Sequence, residues 1–154
     1  MPVSYQGDFY GWTQEQATAI RRVATGHVKA SEIDWENVAE EIASLGRSEL
    51  RAMESTLVRI IEHLLKLQYS PAAESRECWQ VSVDLHRDDL HRLKRDNPGL
   101  VRRIDLAGIY VSARRIANKG TQKRDARQIS TLPEQNPFTL DQIERDDWYP
   151  DPPA

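Results

Sequence analysis

At 154 residues, 39% hydrophobic and 29% charged, the chain has the length of one domain and the balance of long helices that each carry one apolar stripe. A formal net charge of −3 argues against general affinity for nucleic acid or an anionic membrane. The single cysteine, Cys78, excludes an intrachain disulfide and a zinc site built on several thiolates.

The opening MPVSYQGDFYGW has no basic segment followed by an apolar run, and no later stretch approaches the ~18 apolar residues of a membrane span. No membrane association is expected, and the cytoplasm is the expected compartment. Thr13 with Gln16 fits a capping box, followed at helical spacing by Ala17, Ile20 and Ala24, with Gly26 as a C-terminal stop. This predicts a helix over 13–25, with Phe9 and Trp12 as a hydrophobic lead-in. Asp34 suits an N-cap, and Glu36, Glu40 and Glu41 sit near the positive end of the helix it would start.

Trp35, Val38, Ile42 and Leu45 then advance by three and four, as do Leu50, Met53, Leu57, Ile60, Leu64 and Leu67. The step of five from Leu45 to Leu50 rotates the stripe by about 140°. Gly46 lies in that step, so the sequence predicts two helices meeting there or one helix kinked there. Val58, Ile61 and Leu65 add a second apolar face, which predicts a central segment. After Pro71, a helix over 74–96 carries Trp79, Val83, His86, Leu90 and Leu93 on one stripe; a strand around Val81, Val83 and Leu85 is the rival that this longer match outweighs. Asn97-Pro98-Gly99 reads as a turn and Leu100 as the start of a last long helix with Ile104, Ala107, Gly108 and Val111 inward. Thr139 with Gln142 caps a short helix, and residues 145–154 form an extended or poorly ordered tail onto which Trp148 could still dock. The expectation is all-α: one helical domain over 1–154, a bundle of four to five main helices plus a short C-terminal one.

Four segments taken together have a familiar order and spacing: DFYGWTQEQA (8–17), IDWENVAEEIASLGRSE (33–49), HLLKLQY (63–69) and NPFTLDQI (136–143). On these the chain resembles the domain-of-unknown-function 29 family of bacterial proteins. The resemblance implies a compact helical domain and brings no activity, cofactor or catalytic residue to any position.

The chemistry therefore rests on the residues themselves. Of the four histidines, His86 and His91 are five apart and about 140° apart around a helix, so they do not chelate as a pair. Asp88 and His91 are three apart, and with His63 from a facing helix they are the candidate metal ligands; the plainer expectation is no metal and no cofactor. His86 reads as a partly buried histidine bonded to a neighbour. His63 lies beside Arg59 and Lys66 on a cationic edge that disfavours its protonation. The glutamates Glu32, Glu36, Glu40 and Glu41 read as a solvated acidic face. Residues 100–130 hold eight basic against two acidic side chains, and residues 131–154 six acidic against Arg145. Arg114, Arg115, Lys119 and Lys123 are thus candidates for phosphate contact, although pairing of the basic segment with the acidic tail is preferred. Cys78 lies in no nucleophile motif, and no phosphate-binding loop is present. The leading expectation is a non-catalytic protein that binds another protein or itself, with apolar faces 57–67 and Trp12, Trp35, Trp79 and Trp148 as its surfaces. A nucleic-acid accessory module using 102–127 and a metal-dependent enzyme using His63, Asp88 and His91 are the alternatives.

Overall fold

The computed structural model describes residue 5 and residues 9–27, 29–124 and 132–153, and among these it contains helices and no strand. Five α-helices follow in order: α1 (Phe9–Ala24), α2 (Trp35–Tyr69), α3 (Arg76–Asp96), α4 (Leu106–Arg124) and α5 (Leu140–Glu144). Short 3-10 turns stand at Ala30–Glu32, Ala73–Ser75 and Pro98–Arg103. The chain divides into two compact units, residues 1–48 and 49–154, and α2 contributes to both.

In the first unit α1 starts at Phe9, not at Thr13, so Thr13 sits inside the helix and its side chain lies outside the described residues. Gln16, expected to close a capping box with Thr13, instead accepts the Asp34 N–H at 2.9 Å. Gly26 ends α1 at φ +73, where the His27 N–H reaches the Arg22 carbonyl and its own N–H that of Val23. These are the two bonds of a Schellman cap, which needs a left-handed residue at this position. Trp12, Ile33 and Val38 form the buried cluster, joined by Tyr5, Ala19 and Val23. The inward stripe of α1 therefore runs through Trp12, Ala19 and Val23, and Ile20, expected inside, is 36% exposed. Asp34 caps α2 as its side chain accepts from the Asn37 backbone at 3.4 Å and side chain at 2.7 Å.

There is no helix break at Gly46: α2 is continuous across it. One interior glycine costs a helix only about 1 kcal/mol, less than the turns on either side supply.

In the second unit Met53, Leu57, Ile60, Ile61, Leu64, Leu65 and Leu67 of α2 are fully buried. They pack with Val83 and Leu90 of α3, Ile109, Tyr110, Ala113 and Ala117 of α4, and Leu132, Phe138 and Ile143. Both faces of 57–67 are thus consumed by the core, which removes them as the binding surfaces the sequence suggested. The segment expected to open the last helix at Leu100 is instead the 3-10 turn Pro98–Arg103, with Ile104 extended. Asp105 starts α4 afresh by accepting the Gly108 N–H at 3.1 Å. Consequently Ile109, Ala113 and Ala117 face inward while Val111, expected inside, is 64% exposed. At α5 the Thr139–Gln142 capping box is complete, with bonds of 3.2 and 2.9 Å. Beyond it the chain has no regular element, yet Trp148 packs edge-on against Phe138 at 6.0 Å and Pro150 is buried.

Candidate functional site

The segment between α3 and the C-terminus is organised by one side chain. Arg87 is fully buried, four residues after Val83 and three before Leu90 on the inward face of α3. Its Nε donates to the Ile143 carbonyl at 3.0 Å, and its Nη2 to those of Gln142 at 3.0 Å and Trp148 at 2.9 Å. The Tyr149 ring lies 5.4 Å from its guanidinium carbon, and Tyr149 donates to Asp84. Burial and the Asp84 hydrogen bond push the Tyr149 hydroxyl up to about 12. Burial also lowers Arg87 from its ordinary value, without approaching neutrality at physiological pH. Three main-chain acceptors and no close carboxylate make this a structural clasp: its groups face one another, not solvent. It was not foreseen as a functional residue.

Glu62 is the other buried charge of the second unit. Burial pushes its carboxyl up, but the hydrogen bonds from Lys66 at 2.6 Å and Arg59 at 3.0 Å outweigh this and hold it below the usual carboxylate range. The cationic edge read from sequence is therefore largely neutralised by a neighbour on its own helix.

The candidate metal ligands separate. His63 lies on α2, where its Nδ1 is 2.7 Å from the Arg59 carbonyl. Asp88 is exposed on α3. His91 turns to the C-terminal segment, with Nε2 3.1 Å from the Glu144 carbonyl and Nδ1 3.9 Å from Asp146. Among the described residues no three His, Cys, Asp or Glu side chains converge on a point where a metal could sit. The structure brings His63 together with His86 instead, their rings 6.4 Å apart and inclined by 21°. His86 Nδ1 lies 2.6 Å from the Ser82 carbonyl. A carbonyl only accepts, so both imidazoles carry their proton on Nδ1 and present Nε2 as a lone pair. Burial, reinforced by the charge of Lys66 and by His86, holds His63 below the usual imidazole range. The direction matches the sequence reading; the main cause is burial rather than the cationic edge.

The candidate phosphate ligands also divide. Arg114 donates to the Leu132 carbonyl at 3.1 Å and so serves the fold. Arg115 and Lys119 are exposed one turn apart on α4, and the side chain of Lys123 lies outside the described residues. An open cleft of about 500 Å³ separates residues 54–59 of α2 from 105–116 of α4. Its polar rim is already engaged: Asp105 caps α4, and Arg59 binds Glu62.

The largest chemical surplus at the surface is apolar. Of the tryptophans proposed as binding surfaces, Trp12 is buried and Trp79 and Trp148 are partly covered by the core; Trp35 alone is strongly exposed, at 51%. Ile42 and Leu45 follow it at steps of seven and three, 67% and 65% exposed. The sequence placed all three on an inward stripe, yet only Val38 of that stripe is buried.

A crystal structure of an alpha-helical protein of unknown function from Rhodospirillum rubrum is similar in fold, with a TM-score of 0.69 and 27% identity, over 95% of this chain and 92% of that one. No curated protein matches the chain. Among the described residues no helix is long and apolar enough to cross a membrane. The sequence profile of the domain of unknown function DUF29 matches residues 4–149, and the chain belongs to that family.

Proposed function

We propose that this chain is a non-catalytic helical interaction protein whose first unit pairs with a helix of another chain, in the first instance a second copy of itself. The observation that carries this reading is the exposed row Trp35, Ile42 and Leu45 on α2. Their spacing puts them on one side of the helix at heptad intervals, the pattern by which one helix recognises another. The same row on a symmetry mate is a self-complementary match, as an isologous contact requires.

Magnitude sets the expected strength. Burying such a side chain from full exposure contributes about 1.5–3 kcal/mol, so from half to two-thirds exposure each contributes about 1–2 kcal/mol. Six side chains across a symmetric pair then give about 6–12 kcal/mol against an association cost of at least about 4 kcal/mol. The result is weak pairing, in the micromolar range or above. Sedimentation velocity from 10 µM to 1 mM tests it, with chain concentration as the only variable. A concentration-dependent dimer that Leu45→Glu abolishes supports the reading; a strict monomer at 1 mM removes self-pairing.

A further inference from the structure

We infer that His63 and His86 form a two-histidine site for a borderline divalent transition ion such as Cu(II), with water filling the remaining positions. This is independent of the interaction surface on α2. The two residues come from different helices of the second unit, so the fold, not the local sequence, brings them together.

Three observations point the same way. First, each Nδ1 is committed to the carbonyl one turn earlier on its own helix, at 2.7 Å for His63 and 2.6 Å for His86. Ligating histidines characteristically donate their second ring N–H to such a carbonyl, which fixes the tautomer and raises the basicity of the free nitrogen. Second, among the described residues neither Nε2 has a hydrogen-bond partner. Both side chains are half-buried, so the two lone pairs are neither satisfied by protein nor sealed from an ion.

Third, the separation is close to that of a shared ion. With metal–nitrogen bonds of about 2 Å and a ring centre about 1 Å behind the nitrogen, two imidazoles on one ion have centres about 5–6 Å apart, depending on the angle at the metal. The observed 6.4 Å lies just outside this range, and small rotations of both rings close the gap. The environment also suits the ion. Burial keeps His63 in the neutral, ligating form at neutral pH. Lys66, the nearest cation, is held by Glu62 at 2.6 Å, which offsets its repulsion. With only two imidazole donors the site favours the ion at the top of the divalent affinity order, Cu(II), over zinc or nickel.

The test is a titration of the full chain with Cu(II) alone in a non-coordinating buffer at pH 7.5, followed by calorimetry and electron paramagnetic resonance. The expected result is one equivalent bound, with a spectrum of two equatorial imidazole nitrogens. His63→Gln and His86→Gln should each weaken binding at least tenfold, while His27→Gln and His91→Gln leave it unchanged. No copper bound at 100 µM would overturn the inference, as would binding that survives both His63→Gln and His86→Gln. The nitrogen count is read on the wild-type chain: a single-nitrogen spectrum overturns the paired site whether or not any variant folds.

Discussion

Replacing Arg87 tests how the C-terminal segment is held. The wild-type side chain is fully buried and donates three hydrogen bonds to carbonyls of residues 142, 143 and 148. Bonds to a charged donor are worth about 1.5–3 kcal/mol each, so three give about 5–9 kcal/mol gross. Against this stands the cost of keeping a guanidinium out of water, several kcal/mol, with its nearest carboxylate, Asp84, 4.0 Å away. Arg87→Ala should therefore destabilise the chain by about 3–5 kcal/mol, a large share of a typical domain's 5–15 kcal/mol. Arg87→Met fills most of the volume without the donors and separates lost bonding from an empty cavity. The assay is urea unfolding with hydrogen exchange of the amides in 140–150. Faster exchange confined to that segment, in both variants, is the expected signature. A loss below 1 kcal/mol with exchange unchanged would refute the claim that Arg87 holds the segment.

Gly46→Ala should stabilise the chain by about 0.5–1 kcal/mol and raise its Tm by about 2–4 °C, because the added methyl meets nothing within 4 Å and the residue lies inside a helix. A lower Tm would mean that α2 needs glycine's freedom there. Acidification should cost stability in two stages. His63, lowered from 6.5, binds its proton more readily when unfolded, so its contribution is complete above pH 6.5 and is lost as the pH falls toward its folded pKa. Glu62, lowered from 4.5, contributes above pH 4.5 and ceases to do so as the pH falls through its folded value. Urea midpoints from pH 8 to 3 should show both, and His63→Gln should flatten the upper stage alone.

How far the sequence announced these features depends on what each one is made of. Features set by neighbours a few residues away were readable: the Asp34 cap, Gly26 at the end of α1, the Thr139–Gln142 box and the apolar register of 57–67. The start of α4 was misplaced because Leu100, Val101 and Ile104 imitate a helical stripe while a 3-10 turn uses them; the Asp105 carboxylate, five residues on, was the overlooked signal. Periodicity shows that Trp35, Ile42 and Leu45 share a face but cannot say whether anything covers it. His63 was matched to the wrong residues of α3, because the register across two helices depends on a turn whose geometry spacing does not encode. Arg87 had a visible sign, since it keeps the interval of the core positions Val83 and Leu90; the reading put His86 on that stripe instead.

Arg87 grips oxygens that belong to the peptide unit itself, 55 to 61 residues downstream along the chain. Every amino acid carries such an oxygen, so replacing a side chain at 142, 143 or 148 removes none of the three acceptors. Evolution can vary those positions for packing without loosening this grip, whereas a change at 87 has no compensating substitution at its partners. Tolerance to mutation should accordingly be lopsided, near zero at one arginine and far greater at the residues it holds.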